Sequence, residues 1–269
     1  MFKQRLISGI VLVIIAVITL YFGGFLTLAV VGAISLIGDF ELLRVIGKER
    51  SALAVMVYSG SIFYYVLLYM DLDEYILPLA LLILILILAV YVFTYPKYEA
   101  GEIALSYFTF FYVTVMLSYI YRIRALNEGV YMIVLVFLAA WGNDTLAYCS
   151  GRLFGKHKMS PILSPKKTIE GAVGGIVGAF LLGAIYGLIA KRFIVVPYSV
   201  VPAFCLTCGV GGAISIIGDL AASAIKRNYG IKDYSNLIPG HGGILDRFDS
   251  IIVTAPIIYY LLTMVVGLS

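Results

Sequence analysis

The sequence predicts an all-α membrane protein, a bundle of about nine transmembrane helices, from its composition and the continuity of its apolar runs. Of its 269 residues, 62% are hydrophobic and only 13% are charged, and the mean hydropathy is +1.04. Soluble domains carry roughly 25% charged residues, so these values exclude a soluble domain, a disordered chain and a secreted disulfide scaffold. The apolar residues form long runs rather than alternating segments of about ten, which favours helices over an outer-membrane barrel.

Nine apolar segments are long enough to cross the hydrocarbon core, which takes about 20 helical residues. Gly23 and Gly24 offer a turn between the first two. The N-terminal run resembles a signal peptide, but no small-x-small cleavage site with a polar region follows it, so we interpret it as the first span. The predicted spans are 6–22, 25–46, 52–70, 75–95, 103–121, 130–151, 168–190, 198–225 and 247–268.

We expect one integral membrane domain over residues 1–269, with its N-terminus in the cytoplasm. Within it, 1–128 would supply packing, lipid-facing or dimer helices, and 129–269 would supply the catalytic helices and cytoplasmic loops. Nine spans place 15 Lys and Arg residues on the side of the N-terminus and 4 on the other side. The positive-inside rule therefore puts the C-terminus outside.

Seven acidic side chains lie within the predicted spans or at their start, where an ionisable group costs up to about 2.5–3.5 kcal/mol and is a functional hypothesis by default. In the predicted topology all seven fall in the cytoplasmic half of the membrane, which favours a pocket open to the cytoplasm over an ion path. Asp39 and Glu41 lie near a helix end and are expected to pair with Arg44. The seven are Asp39, Glu41, Asp144, Glu170, Asp219, Asp246 and Asp249.

Two helix faces combine groups suited to metal and phosphate. Asp246 and Asp249 are three residues apart and share one face. Carboxylates on facing helices are suitable ligands for Mg²⁺, and cations beside them suit phosphate oxygens, which indicates a phosphoryl or nucleotidyl substrate. The alternative is a buried ion-pair network that fixes helix register. The residues of the second face are spaced i, i+4, i+7 and i+8 along one helix, and they are Asp219, Ser223, Lys226 and Arg227.

The segment Ile238–Gly243 contains three glycines and one of only two histidines, His241. Glycines such as Gly242 and Gly243 let backbone N–H groups approach an anion closely. The histidine would bind phosphate or act as an acid or base. A flexible turn into the last span is the alternative.

A second polar segment, Ser164–Gly171, precedes the seventh span. Ser164 as N-cap, with Pro165 at the first helical position, would open that helix. Helix N-termini attract anions, and Lys166 and Lys167 would add positive charge. The alternatives are a basic loop that sets topology or one that contacts anionic lipid.

Other patterns divide between chemistry and packing. Asn143 and Asp144 form a polar pair in the sixth span that needs a metal or neighbouring helices as partners. Cys205-x-x-Cys208 lacks a second pair, so we interpret both cysteines as packing residues. Close helix packing also explains the small-xxx-small pattern of the seventh span, formed by Gly171, Gly174, Gly175 and Gly178.

The segment Ser223–Asp249 resembles the signature of the phosphatidate cytidylyltransferases, also called CDP-diacylglycerol synthases. That pattern is S-x-φ-K-R-x4-K-D-x-small-x2-φ-P-x-H-G-G-φ-x-D-R-φ-D, where φ is apolar, and all its defined positions are met here. Trp141–Tyr148 and Ser164–Gly171 are similar to two upstream motifs of the family.

The resemblance implies transfer of CMP from CTP to phosphatidic acid, giving CDP-diacylglycerol and pyrophosphate in phospholipid biosynthesis, with Mg²⁺ as cofactor. It also implies a homodimer in the cytoplasmic membrane of a bacterium, working at the cytoplasmic face on membrane lipid, with no nucleic acid partner. A second, monovalent cation is left open. The implied metal ligands are Asp219 and Asp246, extended by Asp249 and Asp144.

The same resemblance supplies roles for the other residues of these motifs. Those expected to be catalytic are Asp219, Asp246, Lys226, Arg227 and His241. Those expected to bind substrate are Asn143, Asp144, Lys167, Thr168, Glu170, Ser223, Lys232, Asp233, Gly242, Gly243 and Arg247.

Two rival functions remain. A CDP-alcohol phosphotransferase would need a D-G-x2-A-R…G…D-x3-D pattern, which the sequence lacks. A cation transporter would use the acidic residues as an ion path, against which their one-sided placement argues.

Overall fold

The computed structural model describes residues 2–196, 198–240 and 242–265, with the side chains of 2–8 and 265 left out. Apolar composition allows long helices to form. Pro78 and Pro202 lie in the first turns of their helices, where no intrahelical hydrogen bond is lost, whereas Pro256 lies inside the last helix. The first seven helices are α1 (Phe2–Phe22), α2 (Gly24–Val45), α3 (Ala52–Tyr69), α4 (Ile76–Phe93), α5 (Ala100–Thr109), α6 (Met116–Ala125) and α7 (Gly129–Phe137). They are followed by α8 (Asn143–Phe154), α9 (Ile169–Ala190), α10 (Val200–Asn228) and α11 (Leu245–Tyr260).

Short π-helical segments join or extend several of these helices. Phe110–Val115 makes α5 and α6 continuous, Leu138–Gly142 does the same for α7 and α8, and Leu261–Val265 extends α11. Among the described residues, eight such stretches are long and apolar enough to cross a membrane, and Gly9–Phe22 is a shorter apolar helix. The predicted all-α membrane fold is therefore confirmed, while the number of spans and the orientation of the termini stay predictions.

The predicted break between the first two spans is confirmed. Helix α1 ends at Phe22 and α2 begins at Gly24. Gly23 and Gly24 have φ values of 68° and 54°, in the left-handed region that glycine enters without a steric penalty.

The chain groups into two compact units. The first contains the chain up to Tyr121 together with Ile231–Arg247, and the second contains Arg122–Gly230 together with the chain from Phe248 onward. Within the first unit, Leu42, Leu53 and Phe110 are fully buried. The prediction of one membrane domain, divided near residue 128, stays a prediction.

Glycines bring the helices of the second unit close together. A Cβ atom added at Gly175 would lie 2.7 Å from the Asn143 Oδ1 and 2.8 Å from the Ala147 Cβ of α8. Added at Gly171, it would lie 2.8 Å from the Ala147 carbonyl oxygen. These approaches support the packing interpretation of the glycine pattern. Cys208 is likewise a buried free thiol.

Candidate active site

Helix α10 carries the first group of predicted site residues, in the second unit. It is one uninterrupted helix over Val200–Asn228, so the predicted common face of its four polar residues is confirmed. The Ser223 hydroxyl donates to the Asp219 Oδ1 at 3.4 Å. Gly218 allows α11 to approach here, because a Cβ atom in its place would lie 2.7 Å from the Asp249 carbonyl oxygen.

A two-stranded hairpin brings a lysine to Asp219. Strand β1 (Lys158–Ser160) pairs antiparallel with β2 (Ser164–Thr168). The Lys167 ammonium forms an ion pair with the Asp219 carboxylate. Successive residues of a strand point to opposite faces, and Lys166 is exposed where Lys167 is half-buried.

The prediction that Ser164 caps the seventh membrane helix is wrong. Residues Ser164–Thr168 form β2, and α9 begins only at Ile169. Pairing with Lys158–Ser160 supplies the backbone hydrogen bonds that an earlier helix start would have given. Thr168 is the actual N-cap, and its hydroxyl accepts from the Gly171 N–H at 3.1 Å.

Two further carboxylates join Asp219 in the second unit. Asp144 interacts electrostatically with Asp219 and Lys167. Asp249 interacts with Asp219, Asp144 and Lys226. Three like charges that influence one another in a largely buried setting call for a cation.

The chemistry of these carboxylates fits Mg²⁺. Within the described part of the chain, no three His, Cys, Asp or Glu side chains form a preformed metal cluster. Mg²⁺ is commonly held by one or two carboxylates together with substrate phosphates and water, rather than by an all-protein cage. The hard oxygen donors present here therefore suit this ion in the presence of a phosphate substrate.

Asp246, in the first unit, is held by the backbone of the preceding loop. Its side chain is 6% exposed, and Oδ2 accepts from the Tyr234 N–H at 2.8 Å and from the Gly243 N–H at 2.9 Å. Gly242 has a φ of 88°, and a Cβ atom there would lie 2.9 Å from the same oxygen. The glycines thus allow close approach to an anion, which here is the carboxylate of Asp246.

Glu41 anchors the same region, a role that sequence reasoning missed. Its carboxylate accepts from the Ser235 hydroxyl at 2.6 Å, from the Ile244 N–H at 3.0 Å and from the Leu245 N–H at 2.8 Å. Glu41 therefore compensates the unpaired N–H groups at the start of α11. The partners lie about 200 residues further along the chain, so no local pattern could have indicated them.

The expected pairing of Asp39 and Glu41 with Arg44 is wrong. In the described part of the chain neither acid forms an ion pair with Arg44. Glu41 binds backbone N–H groups instead. The fully buried Asp39 accepts from the Ser61 and Thr114 hydroxyls at 2.6 and 2.9 Å. Burial explains the outcome, because Arg44 is exposed at the helix end while both acids lie inside the first unit.

Two more predicted site residues contact the protein itself. The fully buried Asn143 donates from Nδ2 to the Ser215 hydroxyl at 3.0 Å. The Glu170 carboxylate accepts from the Lys156 N–H at 3.1 Å and from the His157 N–H at 3.2 Å. Their roles toward substrate stay predictions.

The remaining predicted residues occupy the loop before α11 and its first turn. Lys232 and Asp233 are exposed. The Arg247 Nε is buried and has no hydrogen-bond acceptor among the described atoms, which suits a site that receives an anion. His241 lies outside the described residues.

The fold and these side chains define the class, an integral membrane protein with a carboxylate- and cation-lined site. The sequence model of the cytidylyltransferase family matches residues 3–265. A phosphatidate cytidylyltransferase of Bacillus subtilis (strain 168) is 31% identical over 97% of this chain and 98% of its own length. Relatives with the same name in Haemophilus influenzae and Staphylococcus epidermidis are 31% and 32% identical, each over 97% of this chain and 98% of its own length. The chain therefore belongs to the cytidylyltransferase family and is a nucleotidyltransferase.

Proposed function

We propose that this protein transfers the CMP moiety of CTP to phosphatidic acid, giving CDP-diacylglycerol and pyrophosphate. The relatives named above support the substrates. The observation that carries the proposal is the group of coupled carboxylates around Asp219, with Lys167 paired to it and Lys226 interacting with Asp249. Alternating negative and positive groups of this kind suit a metal-bound polyphosphate.

The proposed reaction is an attack by one phosphate on another. An oxygen of the lipid phosphate forms a bond to the α-phosphorus of CTP. The bond from that phosphorus to the oxygen bridging the β-phosphate breaks, and pyrophosphate leaves with the electron pair. A phosphate monoester has a second pKa of about 6, so the attacking oxygen is already anionic near neutral pH. Positioning and charge neutralisation, rather than a strong base, would supply the catalysis.

Mg²⁺ is the proposed cofactor, with Asp219 and Asp246 as ligands and Asp144 and Asp249 as extensions of the set. When bound, it neutralises charge on the CTP phosphates and orients them. The backbone N–H groups of Tyr234 and Gly243 hold the Asp246 carboxylate in one orientation.

The cations of the site are proposed to hold the triphosphate or the lipid phosphate. Arg247 is favoured by its buried Nε, which lacks an acceptor among the described atoms. Anions satisfy such a group with a charge-assisted hydrogen bond. The other proposed contacts are Lys167, Lys226, Arg227 and, for the leaving pyrophosphate, His241.

We further propose that the site faces the cytoplasm in the cytoplasmic membrane of a bacterium and that the protein is a homodimer. The excess of Lys and Arg on one side, 15 against 4, supports the orientation. Cysteine labelling of intact cells, with single cysteines at Lys232 and at Asp73, tests it. Labelling of position 232 only after the cells are opened is expected, and the reverse pattern would contradict the orientation.

The decisive assay supplies labelled CTP and phosphatidic acid to the purified protein, with and without Mg²⁺. We expect CDP-diacylglycerol and pyrophosphate only with Mg²⁺, and repeating the assay with Na⁺ and K⁺ tests the monovalent cation.

Asp246→Asn should abolish turnover while leaving the protein folded, whereas near-normal turnover would reject the metal-ligand role. Release of CMP from a CDP-alcohol would favour the phosphotransferase, and cation flux in liposomes without nucleotide would favour the transporter.

A further inference from the structure

A cavity of about 990 Å³ lies within the first unit, between the end of α2 and the segment 231–237. Its volume is at the upper end of the range for small-molecule sites. The α2 wall includes Leu36, Ile37, Phe40 and Arg44, and the opposite wall includes Lys232 and Leu237. We call this cavity the α2 groove.

One part of the α2 groove is apolar and open. Ile37 and Phe40 are each 36% exposed, and Leu237 is 55% exposed. Ile37 and Phe40 belong to a helix long and apolar enough to cross a membrane, so the surface they form is suited to acyl chains rather than to water.

The other part of the α2 groove carries cations. Arg44 lies in the last turn of α2, and Arg44 and Lys232 are both exposed. Two acids also line the groove. One of them, Glu41, already accepts three hydrogen bonds, two of them from the N-terminus of α11. The four charges therefore balance, but Glu41 is buried and directed at these donors. The exposed Arg44 and Lys232 are the groups that can contact a phosphate.

We infer that the α2 groove binds the lipid substrate, with the phosphate monoester at Arg44 and Lys232 and an acyl chain along Leu36, Ile37 and Phe40. This inference rests on the proposed function, for which it names the phosphatidic acid subsite. The groove wall also reaches the candidate active site. The N–H of Tyr234, a residue of the groove wall, donates to the Asp246 carboxylate.

The test measures the KM for phosphatidic acid, as its surface fraction in mixed micelles, and the KM for CTP. We expect Arg44→Gln and Lys232→Gln each to raise the lipid KM about tenfold, the loss of one charge-assisted contact, with the CTP KM within twofold of wild type. Arg50→Gln is the matched control, because it removes an exposed cation beyond the α2 groove, and it should leave both KM values unchanged. Arg44→Lys should retain most of the lipid affinity.

A binding measurement separates this inference from the proposed reaction. Phosphatidic acid in detergent micelles should raise the unfolding temperature of the wild type but not of Arg44→Gln. Phosphatidylglycerol, a diester, and glycerol 3-phosphate, which lacks acyl chains, should protect much less. If the wild type makes no CDP-diacylglycerol but is still protected through Arg44, the groove stands and the proposed reaction fails.

Three results would overturn the inference. The first requires an active wild type: both Arg44→Gln and Arg44→Lys keep the wild-type lipid KM, and phosphatidic acid protects both variants as well as it protects the wild type. Another is a rise in the CTP KM alone, which would make the groove a nucleotide site. The third is equal protection by glycerol 3-phosphate, which would remove the role of the apolar wall.

Discussion

The acidic residues of α2 and those around α10 are of the same type, yet the structure treats them differently. Glu41 in α2 accepts only from neutral donors, two backbone N–H groups and the Ser235 hydroxyl. Around α10, Asp219 is paired with Lys167 and interacts with Asp144 and Asp249. Glu41 is thus satisfied by dipoles that folding fixes, whereas the α10 group consists of charges that influence other charges.

This difference indicates which acids hold the fold and which act on a ligand. A carboxylate whose two oxygens both accept from fixed N–H and O–H donors, as those of Glu41 do, has little capacity left for a metal or a phosphate-bound cation. Carboxylates that repel one another gain most when a cation arrives. The comparison therefore predicts losses of activity around α10 and losses of stability around α2.

The largest expected effect is that of Asp219→Asn. It removes a proposed metal ligand and the partner of Lys167, so turnover should fall by more than about a hundredfold. The unfolding temperature in detergent should stay close to that of the wild type, because repulsion with Asp144 and Asp249 is relieved. Labelled-CTP turnover and thermal unfolding of the same preparation check both parts. Substantial activity, or an unfolded protein, would contradict the assignment of the α10 acids to ligand binding and of the α2 acids to stability.

Glu41→Ala should act mainly on stability. It leaves the Ile244 and Leu245 N–H groups at the buried start of α11 without their acceptor, at a cost of about 2–4 kcal/mol. Turnover should also fall, since these bonds hold the turn that leads into Asp246, and Glu41→Gln should be intermediate. The measurement is thermal unfolding in detergent, with turnover assayed well below the transition.

Glu74→Ala is the control for Glu41→Ala, because Glu74 is exposed. It should change neither the unfolding temperature nor turnover. A Glu41→Ala protein that unfolds like this control would show that the α2 acid is not an anchor.

The sequence alone was sufficient to predict the features that are determined by residues close together along the chain. The continuous apolar runs predicted α2, α9 and α10 to within a few residues, because a helix in lipid must satisfy its own backbone. The i, i+4 spacing likewise predicted that Asp219 and Ser223 share a helix face, on which they form a hydrogen bond.

The errors arose where a segment outside the motif decides the outcome. Ser164 is a sound N-cap residue, but pairing with β1 holds its segment in a strand. Glu41 has a plausible partner three residues away in Arg44, but its actual partners belong to the start of α11. Each prediction failed because a contact with residues outside the motif, a neighbouring strand for Ser164 and a distant helix start for Glu41, replaced the expected one.

Gly175→Ala tests the packing that supports the α10 group. The added methyl would press against Asn143 and Ala147 at 2.7–2.8 Å, and overpacking of this kind costs about 1–3 kcal/mol. The unfolding temperature should fall, with a smaller loss of turnover. Gly101→Ala is the matched control, since in the described part of the chain no atom beyond its chain neighbours and its own helix backbone lies within 4 Å of a Cβ at Gly101. Alanine there should be neutral or stabilise by up to about 1 kcal/mol. Equal stability of the two variants would reject close packing at Gly175.

The smallest and most selective effect concerns two neighbouring lysines of β2. Lys167→Gln removes the ion pair with Asp219 and should lower turnover about tenfold, as expected for one charge-assisted contact. Lys166→Gln removes the same charge from the opposite, exposed face of the strand, so its effect should be at least fivefold weaker. Both variants reduce the basic charge of the loop equally. If their turnover fell equally, the lysines would act through general attraction to CTP or anionic lipid, and the specific pairing with Asp219 would have no part in catalysis.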